Sequence, residues 1–232
     1  PIVERFKCTK IFFGDAMSTS FCANALFAGK PQPLGPRGAP SSIVKAPVDA
    51  LTVHMDRTDE DEQANKRLHG GPEKVLHQFN PTNYLTLRKH FPEGEFSLGS
   101  IGENISVEGM DDATVYIGDI WTFGEVELQV SAPRAPCNKI SQRFEVPNLD
   151  RFVGERGITG WYYRVIKTGT ISVGDEVTLL HREDDTVNVH TLMQCAHTKA
   201  DKALAQKLAN LEALDDEWRG KCQKIADKIA DK

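Results

Sequence analysis

The chain has no Cys-x-x-Cys pair, and its five cysteines, Cys8, Cys22, Cys137, Cys195 and Cys222, are odd in number and widely spaced. That pattern fits neither a disulfide framework nor a structural zinc site, and it points to a reducing cytoplasm. No apolar run reaches membrane-spanning length, and residues 1–30 lack the basic-then-apolar order of a signal peptide, so a cytoplasmic location without a membrane partner is expected. Basic charge is not in excess. Twenty-eight Lys and Arg against 33 Asp and Glu give a formal net charge of −5, which leaves no global attraction for a nucleic acid polymer. The usual catalytic signatures are missing too. There is no Walker or dinucleotide fingerprint, no Gly-x-Ser-x-Gly elbow, and the seven histidines form no His-Glu-x-x-His pair. Nucleotide, serine-esterase and zinc-hydrolase chemistry therefore lose their standard support.

What is present is a 232-residue chain with 40% hydrophobic residues, enough for one large domain with an appendage or for two modest ones. Val126, Leu128 and Val130 alternate with Glu127 and Gln129, and Gly124-Glu125 is placed to turn a hairpin. Gly118-Asp119 and Gly174-Asp175 echo each other, each set just before a strand pattern. Many short strands with such turns predict a closed or nearly closed barrel. Asn80-Pro81, followed by Tyr84, Leu87, Arg88 and Phe91, predicts a helix of about three turns with an Asn cap and Pro at its first position. Leu149, Phe152 and Val153 predict a short helix ending near Gly157, and residues 160–165 return to β character. Beyond residue 186 the spacing becomes helical, with apolar positions marking three segments. The expected fold class is thus α+β, mainly β, with a barrel domain over residues 1–185 and a three-helix appendage over 186–232.

Three stretches carry possible chemistry. In residues 131–139, Ser-Ala-Pro-Arg-Ala-Pro-Cys-Asn-Lys, a single thiol sits between cations at the end of the alternating strand. Nearby Arg134 and Lys139 favour the reactive thiolate of Cys137, although a small hydrophobe at a strand end is the plain alternative. Residues 66–74 combine Lys66, His69, Gly70 and Gly71 with further cations, either as a backbone cradle for a phosphate or pterin or as a basic turn. Residues 99–105 contain Glu103 and Asn104, hydrogen-bonding groups that a simple turn would also use. Lys45 on its short apolar segment ordinarily points to solvent, and the acidic run of residues 56–62 is most simply a solvated loop. A Cys137–His69 hydrolase pair stays open, since such partners need only meet in space.

The order of these segments resembles the MOSC family, the C-terminal domain type of molybdenum cofactor sulfurases, and within it the stand-alone bacterial YiiM-like branch. The resemblance rests on His69-Gly70-Gly71, Gly102-Glu103-Asn104 and the Pro-Arg-x-Pro-Cys-x-Lys segment of residues 133–139, and covers roughly residues 29–232. Glu60 stands where that family commonly has glycine, and residues 1–28 match poorly. The resemblance implies a MOSC-type β-barrel with a molybdopterin-type molybdenum cofactor, and Cys137 as the molybdenum ligand or reactive sulfur. Lys45, His69, Asn104 and Arg134 match positions around the pocket. Cations including Lys66, Arg134 and Lys139 would neutralise the cofactor's phosphate and metal centre, while Gly70 and Gly71 admit the backbone. The implied activity is reduction of small N-hydroxylated substrates, such as hydroxylamino-purine base analogues, with electrons from a flavoprotein partner. Cys137 would tune the metal, and Arg134 or His69 would supply a proton or stabilise the departing oxygen. Sulfur transfer through a Cys137 persulfide, or cofactor binding without chemistry, are the competing readings. The helical tail leaves a homodimer open.

Overall fold

The computed structural model describes residues 20–64 and 70–230. The short strands of the first part are β1 (Ser20–Cys22), β2 (Ala25–Ala28), β3 (Gln32–Leu34), β4 (Ala39–Ser41), β5 (Ala46–Val48) and β6 (Ala50–Val53). After them come β7 (Leu76–Gln78), β8 (Ile105–Ser106), β9 (Ile120–Phe123), β10 (Val126–Pro133), β11 (Trp161–Lys167), β12 (Gly169–Ser172) and β13 (Glu176–His181). The helices are α1 (Asn83–His90), α2 (Asn138–Phe144), α3 (Leu149–Arg156), α4 (Val189–His197), α5 (Lys202–Ala209) and α6 (Asp216–Ala230).

Nine strands form one sheet in the order β1-β13-β9-β10-β11-β7-β8-β2-β5, with two-stranded ribbons β12-β6 and β3-β4 beside it. Among the described residues the sheet is a curled half-barrel whose edge strands β1 and β5 do not pair with each other, so of the closed or nearly closed barrel expected it shows the curl without full closure. Pro47, which lacks an N–H and sits in β5, suits that edge position. The expected hairpin forms between β9 and β10, with Val126 opposite Phe123 and Gly124 at φ 56°. The two Gly-Asp turns are the same device. Asp119 accepts from the Tyr116 amide at 2.9 Å and Asp175 from the Ser172 amide at 2.8 Å, each side chain reaching back three residues. The strands they launch, β9 and β13, pair antiparallel.

The helix after Asn80 begins later than the residues predict. Asn80 Oδ1 accepts from the Thr82 amide at 3.0 Å, closing an Asx turn, so eight residues (about two turns) are helical from Asn83 onward. The α3 helix runs as its pattern implies and ends on Gly157 at φ 62°. Two apolar clusters fill the interior. Phe79, Tyr84, Leu87, Ile140, Leu149 and Val153 pack α1, α2 and α3 together. The larger cluster joins Phe123, Leu128, Trp161 and Tyr163 of the sheet to Leu192, Leu208, Trp218 and Cys222 of the last three helices. Cys22 is disulfide-bonded, a departure from a wholly reduced set, while Cys137, Cys195 and Cys222 are free. Among the described residues no helix is long and apolar enough to cross a membrane.

Gly160, just before β11, has φ 70°, and a Cβ added there would lie 2.2 Å from the Gln78 carbonyl oxygen and 2.9 Å from His77 Nε2. Gly71 has φ 84°, but an added Cβ meets nothing within 4 Å. Gly160→Ala is therefore expected to cost about 3 kcal/mol or more, and Gly71→Ala only the backbone penalty of about 1 kcal/mol, in urea unfolding curves. Equal losses would contradict the packing argument.

Candidate functional site

A cavity of about 280 Å³ gathers the loop after β4, the residues following Asp61, β7, the start of β11 and the segment leading from β10 to α2. The sheet builds its floor. A register shift at Ser131, between the pairs Val130–Tyr163 and Ala132–Tyr162, interrupts β10. Bulges of this kind bend a strand and re-aim the side chains beyond it, and they recur next to sites. The Ser131 hydroxyl donates to the Tyr162 carbonyl at 3.1 Å, so the irregular backbone is tied down. Beyond the bulge, Pro133 ends the strand, the buried side chain of Arg134 reaches the cavity, and half-buried Cys137 is the N-cap of α2 in extended conformation.

The corner at residues 159–160 fixes two of the lining residues. His77 Nε2 lies 3.4 Å from the Thr159 carbonyl, and the Arg134 amide donates to the Gly160 carbonyl at 3.0 Å. Burial first, and the Arg134 guanidinium second, hold the His77 pKa well below the ordinary imidazole value, so His77 is neutral near pH 7. Its ring lies 5.4 Å from that of Tyr162, whose pKa burial raises.

Cations dominate the lining, yet they differ in how far they are compensated. The Lys45 side chain is 5% exposed and is paired with Asp61, itself 4% exposed. Burial lowers the Lys45 pKa, and Asp61 opposes that shift. Lys74 meets Glu217 at 2.6 Å and Asp215 at 3.3 Å, and these two carboxylates outweigh its burial and raise its pKa. Lys139 Nζ donates to the Leu34 and Ala39 carbonyls at 3.4 and 3.3 Å, which fastens the β3-β4 ribbon to α2. Arg134 is different. Its residue is 6% exposed, and among the described residues Nη1 is buried without a hydrogen-bond partner. The Ser42 hydroxyl, on the same cavity, is buried and unpartnered as well. A buried guanidinium N–H left unpaired is costly, and an anionic or oxygen-bearing ligand is what would satisfy it.

A family model for the MOSC domain matches residues 65–178. Protein YiiM of Escherichia coli (strain K12) is 33% identical over 211 residues, which span 89% of this chain and 94% of that protein. The chain belongs to the MOSC family and is YiiM-like. The crystal structure of YiiM from Escherichia coli agrees, with a TM-score of 0.71 at 28% identity over 88% of this chain and 94% of that one. A protein of Gibberella moniliformis named reductase is 43% identical over 117 residues, 49% of this chain but only 21% of that protein.

Of the residues singled out in this MOSC chain, Cys137, Arg134, Lys45, Asn104 and Lys139 line one cavity. Asn104 is spent on the backbone, accepting from the His77 amide at 3.1 Å and donating to the Phe27 carbonyl at 3.2 Å, so it braces the wall more than it offers a free group. Gly70 and Gly71 are not among the described lining residues, and Gly71 instead accepts the Lys74 amide in a turn at 3.1 Å. Lys66 and His69 lie outside the described residues. Glu103 turns away from the cavity into the core, accepting from Tyr84 Oη at 2.8 Å and the Gly99 amide at 2.6 Å, with its pKa raised by burial. The acidic run is not uniformly solvated, because Asp61 is drawn in by Lys45 and Glu60 accepts from the Thr52 amide at 2.9 Å. The residues alone do not single out His77 or Tyr162 as lining residues, whereas Lys74, the last cation of the 66–74 stretch, does line the cavity. The available signal was weak: a histidine and a glutamine inside the otherwise apolar Val75-Leu76-His77-Gln78-Phe79.

Two outcomes follow from the buried charges. Asp61→Asn strands the Lys45 ammonium and is expected to lower stability by about 3 kcal/mol in urea unfolding, with partial recovery when Lys45→Met is added. Asp112 is also fully buried, with its pKa raised from 3.8 to about 6, chiefly by burial. The folded form thus keeps this proton to higher pH than the unfolded chain, so the contribution of Asp112 to stability is full below about pH 4 and falls as pH rises to about 6. The stability difference between wild type and Asp112→Asn should therefore shrink by on the order of 3 kcal/mol between pH 4 and 7. A pH-independent difference would refute this assignment.

Proposed function

We propose that the protein is a molybdenum-cofactor-dependent reductase that converts small N-hydroxylated compounds to amines. The observation that carries this reading is the meeting of Cys137 with the unpartnered Nη1 of buried Arg134 in one cation-lined cavity. Membership of a family associated with the molybdenum cofactor supports it, and so does the likeness to a Gibberella protein named reductase. The donor set fits the cofactor. Cys137 offers a soft sulfur for a high-valent metal, and Arg134 offers an Nη1 without a hydrogen-bond partner among the described residues. No group of three or more His, Cys, Asp and Glu among the described residues would hold a bare ion, so the metal would have to come with its own chelating ligand.

When bound, the cofactor supplies the two-electron chemistry and a place for the substrate oxygen. The reaction is balanced as an N-hydroxylated amine plus two electrons and two protons giving the amine plus water, with the electrons from a flavoprotein donor. The residues of this chain bind and orient. The Cys137 sulfur would ligate the metal, and Arg134 Nη1 would donate to an anionic oxygen that the pocket otherwise leaves unmatched. Lys45 and Lys139 add positive potential without being free to swing, because Asp61 and the Leu34 and Ala39 carbonyls hold them. Neutral His77 is set between the Thr159 and Gly102 backbones.

Protein made in a cofactor-competent host is expected to contain one molybdenum per chain and to turn hydroxylamino-purine into the amine. Cys137→Ala should lower that rate at least 100-fold without loss of folding. Metal-free wild-type protein that still reduces the substrate would falsify the reading, and one extra sulfur on Cys137 by mass spectrometry without turnover would move the assignment to sulfur transfer.

A further inference from the structure

We infer that Asp112, which lies outside the cavity, is a positioning residue that fixes Arg134 and His77 within it through the Thr159–Gly160 backbone. The inference rests on the reading of the cavity as a site for an anionic ligand. Asp112 Oδ1 accepts from two consecutive amides, Thr159 at 3.0 Å and Gly160 at 2.8 Å, while Oδ2 accepts from Asn83 Nδ2 at 3.1 Å. The carbonyls of the same two residues face the site. Thr159 O lies 3.4 Å from His77 Nε2, and Gly160 O receives the Arg134 amide. One carboxylate thus sits behind a corner whose front holds the neutral imidazole and the backbone of Arg134. Gly160 cannot yield to any side chain here, since Gln78 and His77 close the space. The Asp112 carbonyl also accepts the His190 amide at 2.7 Å, so the start of α4 is anchored to the same point.

Burying a carboxylate is an expensive way to close a turn, and a neutral acceptor would cost less. What the carboxylate adds is a rigid acceptor able to take both amides on one oxygen and still hold Asn83 with the other. A displacement of the corner would move the Arg134 backbone directly, and sites lose binding when such supporting groups loosen.

The test uses the full chain made without molybdenum, titrated with inorganic sulfate by calorimetry at fixed ionic strength. Sulfate does not titrate near neutral pH and reports the anion end of the cavity independently of turnover. Wild type is expected to bind sulfate and Arg134→Met to lose it. Asp112→Ala should weaken binding at least tenfold. Asp112→Asn, which keeps an oxygen for both amides, should stay within threefold. Val177→Ala, a core truncation in β13 away from the site, supplies a destabilised control whose sulfate affinity should not change. The ring-nitrogen NMR signals of His77 should coincide in wild type and Asp112→Asn and shift in Asp112→Ala. If Asp112→Ala does not fold, Asn83→Ala takes its place, and binding about threefold weaker supports the proposal. The proposal is overturned by absent sulfate binding in wild type, by unchanged binding in Asp112→Ala or its substitute, by equal losses in Asp112→Asn and Asp112→Ala, or by an equal loss in Val177→Ala. The reductase reading would fail separately, on metal content and turnover.

Discussion

A guanidinium held almost entirely out of water, with one nitrogen unmatched, is the constraint around which this molecule is arranged. Desolvating such a cation is costly, and the structure offsets the cost with rigid surroundings. The bulge at Ser131 delivers Arg134, the Gly160 carbonyl fixes its amide, and the charge of Glu103 in the core behind the site feels the same guanidinium. Burial, helped by its charge, keeps His77 neutral, and burial is also what makes Lys45 need Asp61 at its side.

The last three helices take part in this arrangement. Asp215 and Glu217 hold Lys74 at the cavity, the Asp215 amide donates to the Ser131 carbonyl at 2.9 Å, and Trp218 Nε1 donates to the Pro133 carbonyl at 3.0 Å. The start of α6 therefore clasps the end of β10 at the bulge and just beyond it. Helices whose balanced surface charge suggests a solvated appendage are, through Trp218 and Cys222, part of the same apolar core as the sheet.

Much of the fold was legible because the decisive signals are local. Gly124-Glu125 turns its hairpin, Gly157 ends α3, and the repeated Gly-Asp turns make the same three-residue bond. Where local chemistry allowed two outcomes, the reading slipped. Asn80 is equally suited to an N-cap and to an Asx turn, and the acidic run has the composition of a solvated loop although one of its carboxylates is buried. Closure of the sheet was not legible at all. It depends on whether the edges β1 and β5 meet, and strand alternation says nothing about that.

The sequence by itself determined the element types, the order of the motifs and the candidacy of Cys137, Arg134 and Lys139, because these follow from residue chemistry and spacing of a few positions, while Lys45 and Asn104 entered through the family resemblance that those motifs carry. Only the tertiary structure decided which of these groups are free to act. It tied Asn104 and Lys139 to backbone carbonyls, buried Asp61 against Lys45, turned Glu103 into the core and brought in His77, Lys74 and Tyr162. The reason is physical. A polar side chain's role is set by whether its hydrogen-bonding and charge needs are already met, and those partners come from residues far away in the chain, as with Lys74 and Glu217, 143 positions apart.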